Sequence, residues 1–193
     1  MSGATPPLPQ VRDALVGDLV RLRPPTQGDI HRIWECQDWE GARLGEGGAP
    51  VPRLRSETED WLLQPFQWDK LHLVIDPLDD AVPIAGRLSL GRLQWPEATA
   101  MLGMSLLPDS RRKGYGIDAL RVLCAFAFEQ LNLHKISLGT WAFNEAAQAL
   151  YRKVGFVVEG RERDFLFRDG AYHDSIAMGL LASEWRAHPG RPA

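Results

Sequence analysis

A short run near the middle of the chain combines basic side chains with two glycines, and this combination suits the binding of phosphate. The run consists of Arg111, Arg112, Lys113, Gly114, Tyr115 and Gly116. Before it, residues 100–106 are mostly apolar, as in a buried strand. After it, apolar residues recur at steps of three and four, which is typical of an amphipathic helix. The sequence therefore predicts a strand, a glycine-bearing loop and a helix in succession.

The start of a helix is a natural place to bind an anion. Its first backbone N–H groups have no partners within the helix, and the helix dipole adds partial positive charge there. Gly114 and Gly116 carry no side chain that would hold a phosphate away from the backbone, and the preceding basic residues add charge. A di- or polyphosphate ligand is therefore indicated. A Gly-x-Gly before a helix also occurs without a ligand, so the loop alone does not establish a phosphate site.

Two well-known phosphate loops do not match this run. The pattern Gly-x4-Gly-Lys-Ser/Thr of nucleotide hydrolases is absent. The run from Gly114 to Ala119 lacks the well-placed third small residue of a dinucleotide fingerprint. Another kind of phosphate-bearing ligand is therefore favoured.

A second pair of polar residues lies further along the chain. Asn144 and Tyr151 are seven residues apart in a predicted helix from about Asn144 to Lys153. Seven residues make nearly two helical turns, so the two side chains leave the same face and can serve one site. Asn144 also suits the N-cap position of that helix, and Tyr151 could instead be an ordinary tyrosine at the edge of the core.

These motifs resemble the signatures of the GNAT acetyltransferase superfamily. Residues 111–116 resemble its Arg/Gln-x-x-Gly-x-Gly/Ala loop, and residues 144–156 resemble its second signature. Residues 159–174 resemble the end of the ribosomal-protein and polyamine acetyltransferase branch. The resemblance covers roughly the second half of the chain, in the right order, whereas the first half matches only loosely.

The resemblance implies acetyl-CoA as acyl donor, with direct attack of an amine on the thioester and no metal. The pantetheine arm would lie between two splayed strands at 101–106 and 136–140. Tyr151 would donate a hydrogen bond to the departing sulfur. The cofactor-binding residues implied are Leu106, Arg111, Arg112, Lys113, Gly114, Tyr115, Gly116 and Asn144. No metal-ligand spacing is visible among the five histidines and two cysteines.

The general base is where this sequence departs from the family pattern. Many relatives carry a carboxylate in the strand before the phosphate loop, but residues 100–105 contain none. Glu97, just upstream, is our candidate for the base. His72 and the pair His173 and Asp174 are alternatives, acting directly or through water. Each of these is more often a surface or structural group.

The missing carboxylate bears on the acceptor. An α-amino group with a pKa of about 7.8 is roughly one-third neutral near pH 7.5, whereas a lysine-like amine of about 10.4 is about 0.1% neutral. A site without a strong base therefore favours the N-terminus of a protein or peptide as the acceptor. Polyamines, aminoglycosides and free amino acids are the alternative acceptors. The rival from another class is a catalytically silent acyl-CoA-binding or sensing domain.

The element pattern predicts an α/β (α+β) fold of one domain. We expect a mixed, mostly antiparallel sheet of about seven strands with helices on both faces. Three strands near 71–106 form an antiparallel meander, and a strand near 134–140 follows a helical crossover and can lie parallel to its neighbour. The expected boundaries are a flexible segment at 1–14, the domain at 15–183 and a tail at 184–193.

Elements before the meander include a helix that begins near Thr26 and a glycine- and proline-rich loop at 41–52. A capping box at 56–59 starts a further helix. Trp39, Trp61 and Trp68 lie in this region and serve either packing or an acceptor site.

The composition of the chain argues against some classes of binding partner. The chain has 193 residues, 45% of them hydrophobic, and a formal net charge of −3, so no overall field favours nucleic acid or an anionic membrane. Cys124 falls on an apolar stripe and Cys36 lies far from it, which favours buried thiols over a disulfide. The N-terminal stretch lacks the pattern of a secretion signal, so a cytoplasmic protein is expected. A homodimer is compatible with the resemblance, because relatives are frequently dimers.

Overall fold

The structure is a computed structural model that describes residues 15–35, 56, 59, 63 and 69–189. Its described part contains seven strands and four helices. In chain order these are β1 (Val20–Arg23), α1 (Gln27–Glu35), β2 (Lys70–Pro77), β3 (Gly86–Gln94), β4 (Thr99–Leu106), α2 (Tyr115–Ala125), β5 (Lys135–Trp141), α3 (Glu145–Val154), β6 (Val157–Arg168), β7 (Ala171–Leu181) and α4 (Ala182–Ala187). None of these helices has the length and apolar character needed to cross a lipid bilayer.

The strands form one mixed sheet in the spatial order β1-β2-β3-β4-β5-β7-β6. Neighbours from β1 to β4 are antiparallel, as are β5 with β7 and β7 with β6. Among the strands that the structure describes, only β4 and β5 run parallel, and α2 makes the crossover between them, as parallel neighbours require. The predicted mostly antiparallel sheet, its meander and its parallel step are confirmed.

Each face of the sheet is covered by helices. Leu88 and Leu90 of β3 belong to the main core together with Leu120 of α2. Val74 of β2 packs in a smaller cluster with Ile30 of α1. Apolar residues therefore point to both sides of the central strands, which confirms the prediction of helices on both faces.

The helix after the glycine loop ends in a wide turn. α2 continues through Phe126–Gln130 as a π-helical turn, in which the N–H of Leu131 donates to the carbonyl of Phe126 at 3.1 Å. Cys124 on this helix is fully buried, in agreement with the prediction from the apolar stripe.

The C-terminal boundary predicted at residue 183 does not coincide with an end of packing. α4 runs from Ala182 to Ala187, and Trp185 within it is 0% exposed. Its ring lies 6.2 Å from that of Phe128, centroid to centroid. The packed part of the domain therefore continues past the expected boundary. Burial of the large aromatic side chain of Trp185 stabilises the folded state.

Several predictions concern residues outside the described part. These are the segment at 1–14, the loop at 41–52, most of the helix after the capping box, Cys36, and the tryptophans Trp39, Trp61 and Trp68.

A buried carboxylate joins the first strand to the helix that follows the glycine loop. Asp118 of α2 is 7% exposed. Its carboxylate accepts hydrogen bonds from the backbone N–H groups of Asp18, Leu19 and Val20 at 3.3, 2.8 and 3.0 Å. One side chain thus accepts hydrogen bonds from three consecutive backbone donors at the start of β1.

Replacing this carboxylate should destabilise the fold. Asp118→Ala leaves the N–H of buried Val20 and the partly buried N–H groups of Asp18 and Leu19 without an acceptor, so we expect a loss of about 3 kcal/mol in the free energy of unfolding. For a chain of this length that corresponds to a fall of roughly 6–12 °C in Tm, measurable by calorimetry. Asp118→Asn retains one acceptor oxygen and should lose less. An unchanged Tm in Asp118→Ala would contradict this role.

Candidate active site

The two parallel strands in the middle of the sheet part after a short paired stretch. β4 and β5 pair only at Thr99 with Lys135, Ala100 with Ile136, and at one further position. β4 nevertheless continues to Leu106, held on its other side by β3. β5 likewise continues to Trp141, held by β7. Residues 102–106 of β4 therefore face a gap where a sheet would normally have a neighbouring strand.

This gap matters because each strand carries backbone donors and acceptors along its edge. Such groups need partners when they are removed from water. An extended ligand that contains amide groups can supply them in the same way as an added strand. The sequence-based expectation of splayed strands near 101–106 and 136–140 agrees with this arrangement, except that Met101, Ile136 and Ser137 are still paired.

The open end of the gap leads to the glycine loop. A 3₁₀ turn at Pro108–Ser110 follows β4, and the chain then reaches the N-cap of α2 at Gly114. Gly114 has φ +87°, a left-handed conformation that glycine adopts without strain. No side chain caps α2. The first N–H groups of the helix are therefore available for an anion.

Gly116 packs closely against the end of β4. A Cβ built on it would lie 3.0 Å from Leu106 Cδ1, 3.0 Å from Met104 Cε and 3.4 Å from Leu150 Cδ2. The start of α2, the open part of β4 and helix α3 thus meet at this glycine. A larger residue here would intrude on that junction.

Two contacts missed in the sequence hold the loop in place. The Tyr115 hydroxyl donates to Asp79 Oδ2 at 2.7 Å, in the turn between β2 and β3. This hydrogen bond lowers the pKa of the Asp79 carboxyl and raises the pKa of the Tyr115 phenol. Arg32 of α1 forms an ion pair with Asp109 in the 3₁₀ turn. Asp79 was readable from the sequence only as a turn residue, because its partner is 36 positions away.

Helix α3 begins at the far side of the gap. Asn144 is its N-cap, and Asn144 Oδ1 accepts a hydrogen bond from the N–H of Ala147 at 3.1 Å. Gln148 Nε2 donates to the carbonyls of Ala142 and Trp141 at 2.9 and 3.3 Å. Gln148 therefore ties the helix to the end of β5. The sequence analysis overlooked Gln148, although a polar residue three positions before Tyr151 on the same helix face was a usable signal.

Tyr151 lies on the buried side of α3. It is 8% exposed, and its ring contacts that of Phe156 edge-on at 5.8 Å between centroids. Burial raises the pKa of Tyr151 to about 12, because the phenolate would lose its hydration. The phenol is therefore protonated throughout the physiological range and can act only as a hydrogen-bond donor or acceptor.

The structure does not bring Glu97 to the gap. Glu97 is exposed in the turn between β3 and β4. That turn is joined to the start of β5, since the N–H of His134 donates to the carbonyl of Ala98 at 2.6 Å. A strand rises about 3.3 Å per residue, so the paired end of β4 lies about 23 Å from Leu106. Glu97 therefore sits beside the closed end, and we leave it out of the proposed site.

The pair on β7 is engaged elsewhere. Asp174 accepts a hydrogen bond from the N–H of Asp164 at 3.0 Å and forms an ion pair with Arg161, and these contacts lower the pKa of its carboxyl. The ring of His173 lies 4.9 Å from that of Phe143 and 6.3 Å from that of Trp141. Asp174 is therefore too well stabilised as an anion to serve as a strong base.

His72 is the candidate base that a row of paired residues connects to the gap. It pairs across the sheet with Ser89, which in turn pairs with Gly103 on the open part of β4. Ser89 Oγ lies 2.8 Å from the position that a Cβ on Gly103 would take, so the row shares one face. Burial, with a smaller effect of Lys70, lowers the pKa of His72 to about 4. The imidazole is therefore neutral at pH 7, but it is a weak base.

An open mixed sheet whose parallel strands part beside an uncapped helix N-terminus agrees with the arrangement that the resemblance to GNAT acetyltransferases implies. The gap suits the amide-containing arm of coenzyme A, and the loop suits its diphosphate. Residues 20–157 match the family model described as "Acetyltransferase (GNAT) domain". The chain belongs to the GNAT acetyltransferase family, which confirms the resemblance seen in its motifs.

Individual relatives match this chain at about 30% sequence identity over about half of its length. YdaF of Bacillus subtilis (strain 168), named as a candidate ribosomal N-acetyltransferase, is 32% identical over 102 residues, which are 53% of this chain and 56% of that protein. The spermidine N(1)-acetyltransferase of Escherichia coli (strain K12) is 30% identical over 108 residues, 56% of this chain and 58% of that protein. The chain thus spans little more than half the length of these two relatives.

Solved structures share the fold. The spermidine N-acetyltransferase from Vibrio cholerae in complex with CoA and spermine superposes with a TM-score of 0.76 at 22% identity, over 86% of this chain and 98% of that one. At this identity the likeness establishes the sheet and helix arrangement and nothing about the acceptor.

Two left-handed glycines allow a matched test of the loop. Gly114→Ala adds about 1–2 kcal/mol of backbone strain, and its Cβ would lie 2.9 Å from Leu19 Cδ1, so the start of α2 has to shift. We expect it to weaken the binding of coenzyme A at least about tenfold, the effect of losing one hydrogen bond to a charged group. Isothermal titration calorimetry measures this directly.

Gly170 serves as the control. It has φ +79° in the turn between β6 and β7, and a Cβ there would meet nothing within 4 Å. Gly170→Ala adds the same kind of backbone strain without a steric contact, and it should leave the affinity for coenzyme A unchanged. Equal affinities in the two variants would argue against the loop as the diphosphate site.

Proposed function

We propose that this chain transfers the acetyl group of acetyl-CoA to a primary amine, with the α-amine of a protein or peptide N-terminus as the favoured acceptor. The observation that carries the proposal is the parting of β4 and β5 directly beside the uncapped N-terminus of α2. Family membership supports the same reaction. The acceptor is inferred from the acid–base chemistry of the chain's own residues.

The cofactor-binding residues are those that line the gap and the loop. Backbone N–H groups of Tyr115 and Gly116 would hold the diphosphate, because the side chain of Tyr115 is engaged with Asp79. Asn144 would bond to the pantetheine arm with its amide N–H groups, since Asn144 Oδ1 already caps α3. The full set is Leu106, Arg111, Arg112, Lys113, Gly114, Tyr115, Gly116 and Asn144.

Acetyl-CoA supplies a thioester whose carbonyl carbon is open to attack by an amine and whose sulfur leaves as a thiolate. Tyr151 would stabilise the negative charge that develops on the sulfur by donating a hydrogen bond. With a pKa of about 12, against about 8.5 for an ordinary thiol, the phenol does not hand its proton to the thiolate downhill. Tyr151 therefore acts as a fixed donor that stays protonated.

The acceptor follows from the lack of a strong base among the candidate residues that the structure describes. Residues 100–106 contain no carboxylate, and His72 has a pKa of about 4. The amine must therefore arrive neutral. For a lysine-like amine at pH 7.5 this costs about 4 kcal/mol, whereas an α-amine is roughly one-third neutral already. The similarity to YdaF, a candidate ribosomal N-acetyltransferase, agrees with an N-terminal acceptor.

A polyamine is the second candidate acceptor. Relatives named spermidine N(1)-acetyltransferase support it, as does the fold shared with a structure that holds spermine. A silent acyl-CoA-binding domain is the alternative from another class, since it would need the gap and the loop but no base.

Removing the phenol separates an enzyme from a silent binder. Tyr151→Phe should lower kcat for acetyl transfer about 100-fold, the effect of losing one donor to developing charge, and leave the affinity for coenzyme A within about threefold. Thiol release from acetyl-CoA with a panel of peptides and polyamines measures kcat. Equal, near-zero rates in both proteins, with coenzyme A still bound, would favour the silent domain.

The pH dependence separates the two acceptors. Below the pKa of the acceptor amine, kcat/KM should rise tenfold per pH unit, because only the neutral amine reacts. The rise should level off near pH 8 for a peptide α-amine and near pH 10 for a polyamine.

Groups of the enzyme should add no further inflection between these limits. His72 titrates near 4 and Tyr151 near 12, so neither changes charge in this window. A common inflection near pH 6.5 with both acceptors would show an enzyme base and contradict the proposed mechanism. A kcat/KM higher for spermidine than for every peptide would reassign the acceptor.

A further inference from the structure

We propose that the acceptor carries a carboxylate close to its reactive amine, in an acidic side chain at the second or third residue of a protein or peptide N-terminus. Arg87 of β3 is the residue that binds this carboxylate and so determines specificity. The inference rests on the proposed function, because it narrows the acceptor class of the same site.

The acceptor amine has to reach the gap from one face of the sheet. Leu102, in the open part of β4, belongs to the main core that α2 covers, and Tyr151 of α3 belongs to the same core. Met104 and Leu106 point the same way, since a Cβ on Gly116 of α2 would meet both. This face is therefore filled by α2 and α3, and the acceptor must approach from the opposite face.

The opposite face is open where the strands part. Side chains alternate along a strand, so Gly103 and Ser105 of β4 lie on this face. Met101 and Ser137 form the last pair between β4 and β5, and Gly103 and Gly139 follow that pair on the two sides of the gap. Both glycines are exposed. Neither has a side chain that would cover the gap, so an amine can approach here.

Arg87 lies next to this opening. It pairs directly with Ser105, so the two side chains share a face. Strands are about 4.8 Å apart, a distance that the long side chain of arginine can span. Ser105 is two residues beyond Gly103, which is about 7 Å along the strand and corresponds to about two residues of extended peptide. A carboxylate at the second or third residue of the acceptor would therefore meet the guanidinium.

The surroundings of Arg87 favour an anion. The residue is partly buried. Burial lowers the pKa of Arg87 to about 10, so the guanidinium stays charged at pH 7 although it has lost part of its hydration. Such a cation attracts a carboxylate more strongly than a fully hydrated one does. A guanidinium also has five N–H donors, so it can bind a carboxylate while it keeps contacts with its own chain.

A second arginine adds positive charge on the other side of the opening. The guanidinium of Arg168 lies 4.7 Å from the centre of the Trp141 ring, and Trp141 is two residues beyond Gly139 on β5. Glu162 faces the same side, but it is exposed on β6 at the outer edge of the sheet. The charge beside the opening therefore favours an acidic segment over a polyamine, whose own charges are positive.

Isothermal titration calorimetry of two peptides against the chain saturated with coenzyme A tests the proposal without turnover. One peptide has glutamate at its second and third positions, and the other has glutamine there. The acidic peptide should bind about tenfold more tightly, the effect of one hydrogen-bonded contact between charged groups.

Variants of Arg87 show whether this residue is the source of the preference. Arg87→Gln should bring the two peptides to equal affinity. Arg87→Lys keeps the charge but cannot bind a carboxylate through two parallel N–H groups, so it should reduce the preference without abolishing it. This variant supplies the test if Arg87→Gln does not fold. Arg92→Gln is the matched control, because Arg92 is exposed on the same strand near the closed end, and it should keep the full preference.

Equal affinities of the two peptides for the unaltered chain would overturn the proposal. A full preference that survives in both Arg87 variants, or one that Arg92→Gln also abolishes, would do the same. The proposed function fails separately. An acidic peptide that binds preferentially but is not acetylated contradicts the transferase and supports the role of Arg87. Acetylation of both peptides with equal kcat/KM contradicts the role of Arg87 alone.

Discussion

The structure depends on one local failure of strand pairing. β4 and β5 begin as parallel neighbours and separate after three paired positions, although each continues for several residues. Backbone groups along the separated edges cannot be satisfied by the sheet itself. A ligand with its own amide groups can satisfy them, and the uncapped N-terminus of α2 lies at the point where such a ligand would leave the gap.

Contacts outside the gap keep it open. β3 holds β4 as far as Leu106, and β7 holds β5 as far as Trp141, so neither strand can move towards the other without losing pairs elsewhere. Gln148 fixes α3 to the end of β5. Tyr115 fixes the start of α2 to Asp79. The site is thus positioned by hydrogen bonds that belong to the fold.

Much of this was readable from the sequence because it follows local rules. Alternation and short turns gave the meander, and the apolar stripe after Gly116 gave α2. The glycine loop and the Asn144 cap were recognisable because their chemistry lies within a few residues. The contacts of Asp118 with residues 18–20 and of Tyr115 with Asp79 could not be read, since they join residues far apart in the chain.

The general base was also hard to identify from the sequence, because its position depends on how the strands pair. Glu97 is close to the strand before the loop in sequence, but the direction of β4 carries it to the closed end of the gap. His72 reaches the open side only through the cross-strand row with Ser89 and Gly103, which depends on register. Its burial then lowers its pKa to about 4, a consequence of packing that the sequence alone does not contain.

Hydrogen exchange of individual backbone amides, measured by NMR with and without coenzyme A, tests the central claim most directly. The account predicts slower exchange at amides of residues 102–106 in β4 and at the first amides of α2, with no change at the paired end near Thr99. Tight binding of coenzyme A with unaltered exchange at residues 102–106 would contradict it.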